Sequence, residues 1–395
     1  MTATPTETET LPSIADEEFA ERAVRLQELV AREALDLLLV NSSESDFANV
    51  RYLSDYWPVF EAAGVVVPPD GPLTLLIGPE SETFALDRSR IPRVRKLTEY
   101  RESADPEYPD IAVDTYASVF EEAGVPAPRR IGLAGAFATN YVMLESLRAG
   151  FPDAELVRAD HLLTRLRSVK SEAELACLRA AFRISERAIA RILEELRPGR
   201  TELQLVGVAQ ESIYEQGAEY EGMVQYVMSG PNSRHAISRA SHRRLREGEV
   251  VQLNISARVA GYSSGVGRPV GLGRLRDDQR EVLEFGLAAH RATASWLRAG
   301  VTASDVAKRY RAYFSEHGRD DLFLYGPCHG LGLIEVEPPW MEETSHYPLE
   351  RDMTFQIDSF VVTPEFGARW ENGARILDDG IELFSNERMQ VLEVG

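Results

Sequence analysis

Histidines and carboxylates in the second half of the chain are the residue types best suited to catalysis. His329 lies in the segment GPCHGLG, whose glycines leave room for a ligand beside the imidazole, and His235 follows the segment SGPN. An imidazole titrates near neutral pH and can therefore take up or release a proton. Asp358 and Glu371 lie in MTFQIDSFV and RWENGARIL, and paired carboxylates can bind a cationic group or shift each other's pKa.

Length and composition indicate an ordinary soluble globular protein of two domains. The chain has 395 residues, 44% of them hydrophobic and 27% charged, which is longer than a single core usually grows. Its formal net charge of −20 argues against nucleic acid as a partner. Cys177 and Cys328 do not form a disulfide or zinc-finger pattern. Without a secretion signal or an apolar run of ~20 residues, we expect a cytoplasmic protein that does not contact membranes.

Strands alternate with helices in the first part of the chain, which predicts an α/β domain. Residues 1–12 are rich in Thr, Glu and Pro and are expected to form a disordered tail. A helix from Glu17 to Ala34 is followed by strands in LDLLLV, GVVVPPDGPLTLLIG and RRIGLAG. We place this domain at residues 13–166 and a second domain at residues 167–395.

A long helix is expected to open the second domain. Ser171 precedes Glu174 by three residues, which is the signature of a capping box, and the apolar stripe of this helix runs to Pro198. A second helix follows in TELQLVGVAQESIYEQG. The pattern then predicts strands from Gln225 to Leu272, helices from Asp278 to Gly318 and strands from Met353 to Ile376.

The second domain resembles the creatinase, prolidase and methionine aminopeptidase superfamily, whose catalytic domain has the pita-bread fold. The resemblance lies in six segments that occur in the family's order: LRSVKSEAELACLRAA, MSGPNSRHA, GEVVQLNISARVAGYSSGVGRPV, GPCHGLGLIEVEPP, MTFQIDSFV and RWENGARIL. The first domain is similar in pattern to the amino-terminal domain of creatinase and prolidase. The resemblance implies an α/β amino-terminal domain and an α+β catalytic domain with a curved antiparallel sheet.

The resemblance also implies a departure at the metal site. Metallopeptidases of this superfamily hold two divalent cations with two hairpin aspartates, a histidine and two glutamates. The hairpin LNISARVAGYSSGVGRP contains no acidic residue, and the aspartate positions are Asn254 and Gly265. The other ligand positions are His329, Asp358 and Glu371. One imidazole and two carboxylates supply too few donors for two ions, so we expect neither a metal centre nor another cofactor.

The same resemblance suggests roles for the candidate site residues. The expected catalytic residues are His329, His235, Asp358 and Glu371, with His242 as the alternative to His235. The expected substrate-binding residues are Glu337, Asn254 and Arg268. Arg268 could clamp a substrate carboxylate or pair with Glu371, and the two carboxylates could instead belong to a structural network with Arg369 or Arg375.

The segment RYLSDYWPVF of the first domain aligns with a segment that, in creatinase, reaches into the neighbouring subunit's cleft. Tyr56, Trp57 and Phe60 are therefore expected to bind substrate across a homodimer, or else to belong to the core.

Two further departures bear on the function. Val336 stands where the peptidases have a histidine that aids cleavage, and Gly267 stands where creatinase has a glutamate that orients its base. We expect a metal-independent, creatinase-like hydrolase that cleaves a C–N bond in a small guanidino-, amidino- or amino acid-type substrate.

Two alternatives stay open. One is an Xaa-Pro peptidase of the prolidase or aminopeptidase P kind, which retains one metal ion through His329, Asp358 and Glu371. The other is a non-catalytic binding protein that reuses the pita-bread fold.

Overall fold

The computed structural model describes residues 10–395, which form two compact units. Residues 14–167 form the first unit, and residues 168–395, with the described residues before 14, form the second. Most of the predicted disordered tail falls on residues 1–9, which lie outside the described residues. In the described part of the chain, no helix has the length and apolar character needed to cross a membrane.

The first unit is an α/β domain. Its strands are β1 (Leu37–Ser42), β2 (Ala63–Val67), β3 (Thr74–Ile77), β4 (Val94–Lys96), β5 (Arg130–Ala134) and β6 (Glu155–Arg158). Its helices are α1 (Asp16–Arg32), α2 (Ala48–Ser54), α3 (Glu82–Arg88), α4 (Tyr116–Glu122), α5 (Tyr141–Gly150) and α6 (Asp160–Ser168). The strands lie in the order β4-β3-β2-β1-β5-β6, with β1 antiparallel to β2 and parallel to β5. The apolar run of β1 is buried along its whole length, as a central strand requires.

The described part of the second unit contains four long helices, of which two precede its first strand along the chain and two lie between residues 272 and 328. They are α7 (Glu172–Glu195), α8 (Glu202–Glu215), α9 (Asp277–Trp296) and α10 (Ala303–Glu316). The predicted capping box of α7 is confirmed: the Ser171 hydroxyl accepts from the Glu174 N–H at 3.2 Å, and the Glu174 carboxylate accepts from the Ser171 N–H at 2.7 Å.

The second unit is built on a large sheet. The strands of this unit are β7 (Tyr226–Ser229), β8 (Glu249–Ile255), β9 (Arg258–Val259), β10 (Tyr262–Ser263), β11 (Val266–Leu272), β12 (Cys328–Gly330), β13 (Glu337–Met341), β14 (Thr354–Val362), β15 (Gly367–Leu377), β16 (Gly380–Leu383) and β17 (Leu392–Val394). The main path is β13-β12-β14-β15-β11-β8-β7, with β16 beside β15 and β17 beside β11. The predicted fold class, an α/β domain followed by an α+β domain with a curved antiparallel sheet, is confirmed.

One face of this sheet is covered by α9. The indole N–H of Trp370 donates to the carbonyl of Leu283 at 2.9 Å, and the ring is fully buried. Alternate residues of a strand project to opposite faces, so Arg369 and Glu371 project away from α9. Glu371 therefore lies on the face opposite α9.

The N-terminal cap of α8 can be tested by comparison with the start of α10. Thr201 accepts from the Gln204 N–H at 3.2 Å, whereas Thr302 at the start of α10 makes no side-chain cap hydrogen bond. We expect Thr201→Ala to lower the free energy of unfolding by about 1 kcal/mol because it removes the cap, and Thr302→Ala to lower it less. Urea unfolding of both variants measures the difference, and equal losses would contradict the assignment.

Candidate active site

A row of polar side chains crosses neighbouring strands on the face opposite α9. Asn254 of β8 is paired with Gly267 of β11, Gly267 with Glu371 of β15, and Glu371 with Asp358 of β14. Residues directly opposite each other in a sheet project from the same face. The register therefore brings Asn254, Glu371 and Asp358 together, as the sequence predicts.

His329 joins this row from the next strand. It is paired with Gln356, two residues before Asp358, so its imidazole projects from the same face. Its Nε2 lies 3.8 Å from Oε1 of Glu371 and 3.9 Å from Oε1 of Glu335. Its Nδ1 lies 3.0 Å from the carbonyl oxygen of Gly330. In the protonated imidazole, Nδ1–H is donated to that carbonyl and Nε2–H faces the two carboxylates.

Glu335 is the site residue that the sequence analysis missed. It lies in the bend 331–336 between β12 and β13 and is buried. The Gln356 side-chain amide donates to Oε1 of Glu335 at 3.0 Å and to the carbonyl of Gly265 at 2.8 Å. The signals in the sequence are its position six residues after His329 and the glycines between them, which permit a tight reversal.

The carboxylate of Glu335 occupies space beside the hairpin. A Cβ atom added at Gly265 would lie 2.7 Å from Oε1 of Glu335, closer than atoms approach in folded proteins. Gly265 is the position at which the superfamily resemblance implies a missing aspartate. The Glu335 carboxylate, which projects from the bend 331–336, therefore occupies the space that the side chain of a residue at position 265 would need.

Burial and mutual contact shift the pKa values of the His329 cluster, which we define as His329, Glu335 and Glu371. Burial, reinforced by the charge of Glu371, raises the pKa of Glu335 to about 8. Burial opposes the charged form of His329, but contact with Glu371 and the charge of Glu335 outweigh it and raise the His329 pKa to about 9. Burial likewise opposes ionisation of Glu371, but His329 and Arg369 hold its pKa down to about 2. The cluster thus behaves as one electrostatic unit.

Asp358 lies beside this cluster but has its own partners. Its Oδ1 lies 3.1 Å from Nε of Arg369, and its Oδ2 accepts from the Tyr325 hydroxyl at 2.7 Å. Arg369 also donates to the Tyr325 hydroxyl at 2.6 Å and to the carbonyl of Ala236 at 3.0 Å. Each oxygen of Asp358 is therefore engaged, as in the structural network with Arg369 that the sequence left open.

Arg268 does not face a substrate. Its N–H groups donate to the carbonyls of Gly267, Glu371 and Glu387 and to the side chains of Glu186 and Ser385. These contacts use all five of its donors, and burial lowers its pKa to about 10. No donor remains for the substrate carboxylate that Arg268 was expected to clamp; instead it joins β11 to β15 through their carbonyls.

Glu337, expected to bind substrate, lies in a buried ion pair. Its Oε1 is 3.4 Å from Nζ of Lys170, and both side chains are 2% exposed. A Cβ atom added at Gly332 would lie 3.0 Å from Cε of Lys170, so the backbone of the bend 331–336 passes directly over this pair. The ion pair therefore supports the bend that carries Glu335.

The remaining predicted residues have surroundings of their own. His235 and His242 are both exposed in the segment that follows β7. Tyr56, Trp57 and Phe60 belong to the first unit. Tyr56 is fully buried there, the Trp57 indole donates to the carbonyl of Glu44 at 2.9 Å, and Phe60 is 80% exposed with a left-handed φ of 60°.

The donor set decides which metal centre the site can hold. The two-ion set of the superfamily does not fit, because Asn254 is neutral, Gly265 has no side chain and Asp358 is held by Arg369 and Tyr325. Within the described residues, ligand atoms of His329, Glu335 and Glu371 all lie within 4.8 Å of one another. One imidazole and two carboxylates can hold a single ion.

Comparison with protein families gives two matches. The model described as metallopeptidase family M24 matches residues 176–379. The model of the creatinase/prolidase N-terminal domain matches residues 22–169. Both agree with the superfamily that the sequence motifs indicated.

Individual relatives carry peptidase names. An Xaa-Pro dipeptidase of Pyrococcus horikoshii is 23% identical over 91% of this chain and 93% of its own length. A probable dipeptidase PepE of Mycobacterium bovis is 33% identical over 58% of this chain and 62% of its own length. Among solved structures, the X-Pro aminopeptidase from Thermotoga maritima MSB8 matches with a TM-score of 0.82 at 22% identity, covering 94% of this chain and 99% of that one; this likeness shows the fold.

The Lys170–Glu337 pair can be tested through stability. Lys170→Met removes the cationic partner of a buried carboxylate and should lower the free energy of unfolding by about 3–5 kcal/mol. The double variant Lys170→Met/Glu337→Leu removes both charges and should be less destabilised than the single variant. Urea unfolding measures both, and a single variant as stable as the unmodified protein would show that the pair does not support the bend.

Proposed function

Because the chain belongs to metallopeptidase family M24, we propose that this hydrolase of C–N bonds acts on the peptide bond of dipeptides. Relatives named Xaa-Pro dipeptidase and dipeptidase support this substrate class. They favour the peptidase alternative over the metal-independent, creatinase-like hydrolase that the sequence analysis put first.

The observation that carries the proposal is the His329 cluster. It places an imidazole between two buried carboxylates on the face of the sheet opposite α9. A divalent cation held there would polarise the peptide carbonyl and lower the pKa of a bound water. Gln356 fixes Glu335 by donating to it, and the Gly330 carbonyl lies within hydrogen-bonding distance of His329, so the cluster is oriented by its neighbours before substrate arrives.

Exposed apolar and aromatic side chains occur near the cluster. The Trp340 ring lies 5.3 Å from the His329 ring and is 44% exposed, and Val336, next to Glu335, is also 44% exposed. Tyr325, which is partly exposed, carries the hydroxyl that contacts Asp358. These side chains offer apolar surface to an amino acid side chain of the substrate.

A creatinase-like hydrolase is the second candidate, and Asn254 and Gly265 favour it. Both hairpin ligand positions lack a carboxylate, as the resemblance to creatinase implies for an enzyme without metal. In that case His329 would carry the proton, and a guanidino or amidino group would replace the peptide bond as the substrate. The homodimer and the cytoplasmic location expected from the sequence stay predictions.

A substrate panel separates these functions. Dipeptides with apolar residues, with and without a carboxyl-terminal proline, are compared with creatine and other guanidino compounds, and product release is followed by mass spectrometry. We expect hydrolysis of dipeptides, and we expect His329→Gln to lower kcat by about 10²–10⁴ with circular dichroism unchanged. Turnover of guanidino compounds alone would favour the second candidate. Turnover of neither class would support a binding protein.

A further inference from the structure

We propose that the site holds one divalent cation, ligated by His329, Glu335 and Glu371, and that Glu335 supplies from the bend 331–336 the carboxylate that the hairpin lacks. The inference names the cofactor of the proposed peptidase site and rests on that site, but it does not depend on which substrate is cleaved.

The two ring nitrogens of His329 have the surroundings expected of a metal-binding imidazole. Nε2 faces Glu371 at 3.8 Å and Glu335 at 3.9 Å, while Nδ1 lies 3.0 Å from the Gly330 carbonyl. A metal-binding imidazole usually donates its other N–H to such an acceptor, which fixes the ring and its tautomer. Separations of this size between ligand atoms are also those of donors that share a single ion.

The position of Glu335 is set by a residue outside the cluster. Gln356 donates to both Glu335 and the carbonyl of Gly265, and thus holds the carboxylate against the hairpin. The absence of a side chain at Gly265 leaves this space open, since a Cβ atom there would lie 2.7 Å from Oε1 of Glu335. The third donor of the proposed site therefore comes from the bend 331–336 and not from the hairpin.

Oxygen atoms without donors point independently to a cation. In the described part of the chain, Oε2 of Glu371, Oδ1 of Asn254 and Oε1 of Gln356 are buried and have no hydrogen-bond partner. Oδ1 of Asp358 also lacks a hydrogen bond, but it lies 3.1 Å from Nε of Arg369. Oδ1 of Asn254 and Cβ of Glu371 both lie within 3 Å of the point that a Cβ of Gly267 would occupy, at 2.9 and 2.7 Å. Buried acceptors that lack donors require an explanation, and a cation beside Glu371 and Asn254 would satisfy the oxygens of both.

The charges of the site agree with this reading. Glu335, Glu371 and Asp358 are buried carboxylates, and Arg369 pairs with Asp358. Three buried carboxylates are thus gathered around one guanidinium and one imidazole, and carboxylate and imidazole are ligand types that divalent cations bind.

Asp358 is the competing third ligand, because the superfamily resemblance places a ligand at its position. The structure instead gives it the Arg369 guanidinium at 3.1 Å and the Tyr325 hydroxyl at 2.7 Å. If Glu335 is the third ligand, its substitution should weaken metal binding more than substitution of Asp358 does. If Asp358 is the ligand, the order should be reversed, so the variant at each position is the control for the other.

The test is titration with Mn²⁺ after removal of bound metal by chelator. Isothermal titration calorimetry of the full-length protein should give a stoichiometry of one. Glu335→Gln, which keeps the size of the side chain, should weaken Mn²⁺ binding by about 100-fold or more, whereas Asp358→Asn should weaken it by less than about 10-fold. The rise in melting temperature with added Mn²⁺ should follow the same order, since it reports the same binding free energy.

Urea unfolding of the metal-free variants serves as a control, because it shows whether each variant is folded before Mn²⁺ is added. Should Glu335→Gln fail to fold, Glu335→Asp, whose carboxylate is drawn back from the cluster, replaces it and should weaken binding by at least about 10-fold. A stoichiometry of two, no binding by the unmodified protein, or a larger loss in Asp358→Asn than in the Glu335 variant would each overturn the inference. Because none of these readouts uses a substrate, failure of the dipeptide proposal and failure of this one are distinguishable.

Discussion

The burial of Glu335, Asp358 and Glu371 beside one another is the constraint around which the second unit is organised. Carboxylates removed from water are stable only when cations or hydrogen-bond donors replace the lost hydration. Arg369 and Tyr325 do so for Asp358, Gln356 does so for Glu335, and His329 contacts Glu371. The sheet makes this possible because its register brings Arg369, Gln356 and His329 to the same face.

Support for the cluster comes from groups that do not belong to it. Arg268 joins the carbonyls of Gly267 and Glu371 and so fixes two strands of the row. The Lys170–Glu337 pair lies beneath the bend that carries Glu335. Arg268 and Glu337 are the charged residues that the superfamily resemblance suggests for substrate binding. Their contacts instead support the strands and the bend that carry the cluster.

Much of the fold and part of the site could be predicted from the sequence. Ser171 and Glu174 define the start of α7 through local hydrogen bonds, and strand residues such as Asp358 and Glu371 occur in segments whose register the superfamily resemblance implies. Glu335 could not be found in this way, because it lies in an irregular bend where neither a helical nor a strand period indicates the direction of a side chain. Arg268 and Glu337 could be located on the chain, but their partners, Glu186 and Lys170, are distant in sequence.

The close approach of Glu335 to Gly265 limits the routes by which this site can change in evolution. A chain with side chains at both positions would bring atoms within 2.7 Å of each other, so a hairpin aspartate and the present Glu335 conformation exclude one another. The contacts are with the ends of the Glu335 and Gln356 side chains, so a hairpin aspartate requires both of these side chains to move aside. A substitution at position 265 is therefore coupled to residues 335 and 356, and its effect depends on what those two positions hold.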